Sequence, residues 1–559
     1  MPVMTVGEID REIDVLHEHA YAWARLGFAA TIRHLRAMRA RTVEVATAWV
    51  EAAARAKGIA GTPLAGEEWF SGPYPLLSAL DRLATTLGEI ARRGTPAIPE
   101  TAIWTRPNGQ VVVAVFPVLS SERILVSGVR AEMWMEPDVT VETALEGSAA
   151  AHRHSDRAGR VTLVLGAGNI ASIPPLDVLT VLFSQRSVAI LKLSPVNAYL
   201  EPIFTRVFGA LIEEGFVRIA EGGADLGAYL AAHPGIDAIH LTGSTRTRDA
   251  IAAAAPRKTL TCELGNVTPV IVVPGPWSDP DLVFQAAHIA TQKLQNTGAN
   301  CTAAQLLVTP AEWERAPALL ARVRAALAGA PARPAYYPGT AQRVADALAE
   351  HRDAEILATE PDGVPRVFAA NLDPRDRGEP LFHAEVFGPV LAQTALPGRD
   401  PATFLRNAVA FVNERLRGSL AVSILIHPRT IAELGAAFDE AIAALRYGCV
   451  AINAWPGVGF ALATASWGAY PDDAGDEAGS GNGVVHNAFL FDRPQKTIVR
   501  APFAPFPRSL GDGERSLLPT PPWFVTHRRA DVVGRRLFAF TAQPSGPGMG
   551  ATMLAAIRG

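Results

Sequence analysis

Cys301 ends a polar, glycine-containing loop, Gln295-Asn296-Thr297-Gly298-Ala299-Asn300-Cys301. Upstream, the phrase Thr261-Cys262-Glu263-Leu264-Gly265-Asn266 offers a carboxylate, Glu263. A thiol and a carboxylate suit covalent chemistry: sulfur attacks an electrophilic carbon and the carboxylate moves a proton. An unperturbed thiol is only a few per cent ionised at neutral pH, so such chemistry needs a base or a lowered pKa. The competing role for Cys301 is structural, because free cysteine is among the most buried residue types. The other cysteines, Cys262 and Cys449, complete neither a disulfide framework nor a zinc-binding spacing. They predict a reducing compartment.

The elements that must position this pair belong to a long, folded chain. At 559 residues it exceeds one ordinary core, so two or three domains are expected. Apolar residues at 49% and charged residues at 19% fit a folded, soluble protein. A net charge of −4 gives no basic field for nucleic acid. The first residues are acidic (Glu8, Asp10, Glu12, Asp14), unlike the basic start of a signal peptide, and no apolar run approaches the ~18 residues of a membrane span. The default expectation is cytoplasmic.

The spacing of Ile9, Ile13, Leu16, Leu26, Leu35, Met38, Val43 and Val45 predicts helix over about 8–58, and another covers Ser78–Arg93. Asn108-Gly109, between Ile103-Trp104 and Val111–Val115, is a hairpin signal, read as a β-arm spanning Trp104–Ala131. From Val161 the pattern becomes strand, turn, helix, repeated. Predicted strands are Val161–Leu165, Val188–Lys192, Phe216–Ala220, Asp237–Leu241, Leu260–Leu264 and Pro269–Val273. Predicted helices are Pro174–Ser184, Tyr199–Glu214, Ala224–Ala232 and Thr247–Ala254. This alternation predicts a parallel sheet with helices on both faces, a dinucleotide-binding architecture, although G-x-G-x-x-G is absent. A second alternation spans 280–450. Pro471–Gly483 reads as a polar surface loop, and the proline-rich end beyond Ala501 as an extended tail on a partner surface or a partly disordered end.

These motifs, taken in order, resemble the aldehyde dehydrogenase superfamily. The matching residues are Asn169 after a strand, Lys192 closing the next strand, Leu241-Thr242-Gly243-Ser244, Glu263-Leu264-Gly265, Asn296-x-Gly298-x-x-Cys301 and Glu385-Val386-Phe387-Gly388-Pro389-Val390. The resemblance implies an α/β fold of two doubly wound parallel-sheet domains plus a β-hairpin oligomerisation arm. A dinucleotide-binding domain would occupy 1–262, interrupted by the hairpin near 102–135. A catalytic domain would cover 263–455, and 456–559 would return to the cofactor domain and end in an oligomerisation tail. It implies oxidation of an aldehyde to a carboxylic acid with NAD or NADP. Cys301 would be the nucleophile, Asn169 the oxyanion donor, and Glu263 the base for thioester hydrolysis. Lys192 and Glu385 would bind the two riboses, Gly243 and Ser244 the pyrophosphate, and Phe387 would pack beside the nicotinamide, with Ser194 and Leu264 also in the cofactor site. A homodimer or homotetramer is implied, with no metal.

Several positions depart from the family pattern. Gly168 stands where an aromatic residue is usual, Asn266 replaces a second glycine, and Thr302-Ala303-Ala304-Gln305 follows the nucleophile without the common small-Ser-Arg ending. Pro195 stands where NAD-preferring members often carry a glutamate, which permits NADP without demanding it. The segment Gly166–Leu176 and Lys192-Leu193-Ser194-Pro195 are also similar to the superfamily's fatty acyl-CoA reductases. An acylating, coenzyme A-dependent reaction is therefore the alternative, and a catalytically silent homologue a remote one. Glu263 favours hydrolysis. The aromatics Trp455, Phe460 and Trp467 suggest an apolar or aromatic aldehyde.

Overall fold

The structure is a computed structural model that describes residues 5–153, 158–471 and 479–559. Most of the loop expected at Pro471–Gly483 therefore lies outside the described residues. The first strands form the expected hairpin: β1 (Ile103–Thr105) pairs antiparallel with β2 (Val111–Phe116), with Gly109 between them at φ +89°. β3 (Arg130–Met135) pairs with β2 on its other side.

The next five strands form a separate, all-parallel sheet: β4 (Val161–Leu165), β5 (Val188–Leu193), β6 (Val217–Glu221), β7 (Ala238–Gly243) and β8 (Thr259–Leu264). Their order is β6-β5-β4-β7-β8. β4 and β5 are buried at every position, as apolar strands covered on both faces should be. The chain runs outward from β4 through β5 to β6, then returns to the far side of β4. This reversal between β4 and β7 opens a crevice at the carboxyl ends of the strands, where such sheets hold ligands. The N-terminal helix Val6–Ala24 packs on β4, β5 and β6, and Phe28–Ala56 packs on the helices Pro73–Arg93 and Glu201–Val207. Ile9, Ile13, Leu16, Ala20 and Trp23 bury at helical spacing, and the long predicted helix breaks at Gly27, which opens the second one.

The remaining strands build the larger sheet: β9 (Thr268–Val272), β10 (Ala304–Pro310), β11 (Glu355–Thr359), β12 (Pro365–Leu372), β13 (Val390–Leu396), β14 (Ala421–Leu425) and β15 (Cys449–Ile452). β16 (Ser466–Gly468) and β17 (Val484–His486) pair alone, and β18 (Pro494–Arg500) rejoins the large sheet. Its order is β1-β2-β3-β18-β15-β14-β9-β10-β13-β12-β11. The hairpin strands are thus stitched through β18 into their own chain's sheet.

The C-terminal end differs from expectation. It is not an extended tail: Ala530–Ala542 and Gly546–Ile557 are helices packed on the body of the same chain. The prolines cluster between Pro502 and Pro522, Pro544 and Pro547 fall at the junction of the two helices where they start the second, and Ala, Val, Leu and Phe dominate the first. Close approach rests on two glycines. A Cβ at Gly66 would stand 2.3 Å from the Ala530 carbonyl carbon, and one at Gly534 would stand 2.6 Å from Trp69 Cβ. Arg39 donates to Ala542 O at 2.8 Å and holds the end of that helix. Among the described residues no helix is long and apolar enough to cross a membrane.

Candidate active site

The helix Asp279–Leu294 ends in the nucleophile loop. Asn296, Thr297 and Gly298 follow with φ of +52°, +56° and +74°. Two non-glycine residues in the left-handed region are costly, so the surroundings must hold them. Asn296 N–H donates to Glu67 Oε2 at 3.0 Å, Thr297 Oγ1 to Pro334 O at 3.1 Å, and Asn300 Nδ2 to Gln295 O at 2.9 Å. A Cβ at Gly298 would lie 2.4 Å from Gly388 O, so only glycine lets this loop meet the Glu385–Val390 motif. Cys301 follows, partly buried, its carbonyl accepting from Thr268 Oγ1 at 3.3 Å.

Asn169, in the turn after β4, reaches the same loop. Its side chain donates to Ala299 O at 3.2 Å, two residues before Cys301. Its own carbonyl accepts from Tyr336 Oη at 2.7 Å, Asn296 Nδ2 at 3.0 Å and Lys57 Nζ at 3.3 Å. Behind this knot lie two buried ion pairs, Lys57–Glu68 at 2.7 Å and Arg333–Glu67 at 2.5 Å. Burial works against the charge on Lys57, but Glu68 outweighs it and the pKa is raised. None of Lys57, Glu67, Glu68, Arg333 or Tyr336 was singled out from sequence. Their spacing carries no motif, and only the fold brings them to Asn169.

Glu263 ends in the crevice, buried, and neither carboxylate oxygen has a hydrogen-bond partner among the described residues. A Cβ at Gly483 would lie 2.5 Å from its Oε1, so glycine makes room for the carboxylate. Burial raises its pKa well above the usual carboxylate range, and the charge of Asp177 raises it further. Glu385 lies against Gly265, whose missing side chain admits it, since a Cβ there would lie 2.0 Å from Oε2. Burial pushes Glu385 up to about 7, with the Asn266 N–H and Lys293 opposing. Lys293, also unforeseen, is wholly buried and donates to Gly388 O at 3.1 Å. Burial pushes it down to about 7 against the pull of Glu385.

Lys192, Ser194, Gly243, Ser244, Leu264 and Phe387 line one cleft with Asn169, Glu263, Glu385 and Cys301. The structure therefore gathers every residue singled out from sequence. Lys192 is buried at the end of β5, and burial lowers its pKa. Ser244 caps the helix Thr245–Ala254, accepting from Thr247 N–H at 3.2 Å, and the amide groups at that helix start face the cleft region where an anion is favoured. The departures also find their reasons. At Gly168 a Cβ would meet Ser194 Oγ at 2.5 Å and Val196 Cβ at 2.8 Å, so the loop after β5 fills the space that an aromatic residue would take. Asn266 Nδ2 donates to Ala421 O at 2.7 Å and ties β8 to the large sheet. Gln305 Nε2 donates to Ala384 O at 2.7 Å and its Oε1 accepts from Val386 N–H at 2.9 Å, anchoring the loop before β13 that carries Glu385.

A second cavity meets the cleft at Cys301, Ile173, Phe460 and Trp467. It is a largely apolar channel to which Trp455, Phe460 and Trp467 contribute, as the sequence suggested. The C-terminal helices and the segment Glu67–Tyr74 also line it, which the sequence did not suggest.

A model of the aldehyde dehydrogenase family matches residues 186–460. N-Succinylglutamate 5-semialdehyde dehydrogenase of Sphingopyxis alaskensis is 30% identical over 192 residues, which is 34% of this chain and 38% of that protein. Aminoacetaldehyde dehydrogenase of Pseudomonas aeruginosa is 29% identical over 216 residues, 35% of this chain and 42% of that protein. The matched segment thus spans about two fifths of these curated relatives. The likeness in fold is broader. The aldehyde dehydrogenase KauB from Pseudomonas aeruginosa superposes with a TM-score of 0.61 over 89% of each chain at 18% identity. An NADP-dependent glyceraldehyde-3-phosphate dehydrogenase from Bacillus halodurans, complexed with NADP, gives 0.61 over 90% of this chain and 92% of its own, also at 18% identity. Residues 186–460 thus match the aldehyde dehydrogenase family in sequence, and the chain shares the fold of solved aldehyde dehydrogenases.

Proposed function

We propose that the protein oxidises an aldehyde to a carboxylic acid with NAD or NADP. The observation that carries this reading is the position of Cys301 at the junction of two cavities, an apolar channel and a polar cleft over the parallel sheet. The cleft suits a dinucleotide. It lies at the strand-order reversal, begins a helix at Ser244, and holds Lys192 and Glu385 as partners for ribose hydroxyls. A nicotinamide bound there would supply the acceptor for the hydride that leaves the substrate carbon.

The chain's own residues do the rest. Cys301 gives its proton to the Glu263 carboxylate, which passes it on to solvent, and its sulfur bonds to the aldehyde carbon. The Asn169 amide, turned from Ala299 O, and the Cys301 N–H stabilise the resulting oxyanion, and such a donor is worth about 3 kcal/mol of barrier. Departure of hydride leaves a thioester on Cys301. Glu263 takes a proton from the water that cleaves it, releasing the acid and the thiol. Both nicotinamide cofactors remain open because Pro195 puts no carboxylate beside the ribose position.

The test is nicotinamide reduction by the purified protein on aliphatic and aromatic aldehydes, with NAD or NADP, with and without coenzyme A, beside Cys301→Ala. Turnover without coenzyme A that vanishes in the variant is expected. Turnover only with coenzyme A would replace hydrolysis by acyl transfer, and none under any condition would overturn the assignment.

A further inference from the structure

We propose that the substrate carries a long, uncharged apolar chain, held in the channel leading to Cys301, with the two C-terminal helices selecting for it. This deepens the reading of the site as aldehyde-oxidising and rests on it.

Separate parts of the chain build the channel. The helix Pro73–Arg93 begins beside it with Tyr74, β2 contributes Phe116, and the segment after β15 supplies Trp455 and Trp467. Val533 and Leu537 come from one C-terminal helix, and Thr552, Met553 and Ala556 from the other. The cavity is narrow, with a volume of about 140 Å³.

The charge pattern is more discriminating than the size. Of the described residues lining the channel, only Glu67 and Glu68 are charged, and both are committed to the buried pairs with Arg333 and Lys57. No Lys, Arg or His is among the described residues that line it. A carboxylate, phosphate or ammonium at the far end of a substrate would therefore be buried without a partner, which is costly. An alkyl chain meets a largely apolar wall. The carbonyl end meets Asn296, Asn300 and Thr302 around the thiol.

The C-terminal helices are a fixed wall. Gln295 Nε2 donates to Trp523 O at 2.6 Å, and Val525 N–H donates to Thr291 Oγ1 at 3.2 Å. Both tie the segment leading into these helices to the helix and loop that carry Cys301. Beyond them, Trp69 packs on Phe538 with ring centroids 5.4 Å apart. The wall is therefore registered to the nucleophile, so its side chains determine how much chain fits.

The experiment measures kcat/KM for acetaldehyde, butanal, octanal and decanal, and for decanal carrying a terminal carboxylate, with the wild type and with Leu537→Trp and Met553→Trp. The expected result is a rise of roughly fourfold per methylene (about 0.8 kcal/mol each) until the channel is full. The carboxylated chain should fall roughly tenfold or more below decanal. In the tryptophan variants the ratio of decanal to butanal should drop roughly tenfold or more. A flat chain-length profile, equal use of the carboxylated chain, or an unchanged ratio in both variants would overturn the proposal. If no aldehyde is oxidised, the functional assignment fails separately, and the channel is tested on Cys301→Ala by tryptophan fluorescence. Saturable quenching by decanal but not by butanal supports the channel reading, and no quenching by decanal overturns it.

Discussion

At Cys301 burial raises the thiol pKa, and the charges of Glu385 and Glu263 raise it further. The resting protein therefore holds a neutral thiol, and attack requires the proton to leave as the substrate arrives. Glu263 faces the same logic from the other side. Its raised pKa keeps the carboxyl protonated at pH values where a free glutamate is ionised, so the basic form accumulates only as pH rises. The acid limb of kcat should accordingly lie above the ordinary carboxylate value of 4.5. Glu263→Gln should lower steady-state turnover by about 10²- to 10⁴-fold while the first turnover survives, slowed less, because solvent can take the thiol proton directly. Stopped-flow absorbance would then show a burst of reduced nicotinamide near one equivalent of enzyme. Loss of the burst along with turnover would confine Glu263 to the first half-reaction.

At the scale of elements, the nucleophile loop and the Glu385–Val390 motif are positioned by mutual contact. Gly298 lies at φ +74° with no room for a Cβ beside Gly388 O, and Lys293, one turn before the loop, donates to that same oxygen. Gly298→Ala must therefore move one motif away from the other. A misplacement near 1 Å costs roughly hundredfold in rate. We expect a loss of kcat of that order with the unfolding midpoint shifted far less than activity, measured by steady-state kinetics beside urea denaturation. Retention of wild-type kcat would show that the contact does not position the thiol. The motif residues were legible because each sits at a strand end or turn, where local pattern is strong. Lys293 was not, because a buried lysine inside a helix has the same local signature as an exposed one.

At the scale of the whole molecule, the large sheet ends at β1, a three-residue edge strand whose Trp104 is 41% exposed. An edge with outward backbone groups is a place for another chain to pair. We expect a homodimer or homotetramer, with the mass set by light scattering, and a monomer at all concentrations would overturn this. The C-terminal helices pack on their own chain, so deleting residues 526–559 should leave the number of subunits unchanged. Monomers released by that deletion would return the tail to an assembly role.

Much of this organisation was written locally. Alternating apolar runs and helical spacing over Val161–Leu264 determined the parallel sheet, because the central strands β4 and β5 bury all of their own residues and each helix one stripe. The order of Asn169, Lys192, Ser244, Glu263, Cys301 and Glu385 along the chain determined which residues share the cleft. Other features depend on distant partners. β11 is largely exposed at the far edge of its sheet and carries little hydrophobic pattern. The short β15 and the longer β18 are settled by pairing with β14 and β3. The prolines before Pro522 masked two helices whose buried faces exist only against Trp69 and Leu518. The wall of the channel, and with it the selection of substrate, was decided only when those helices met residues from the other end of the chain.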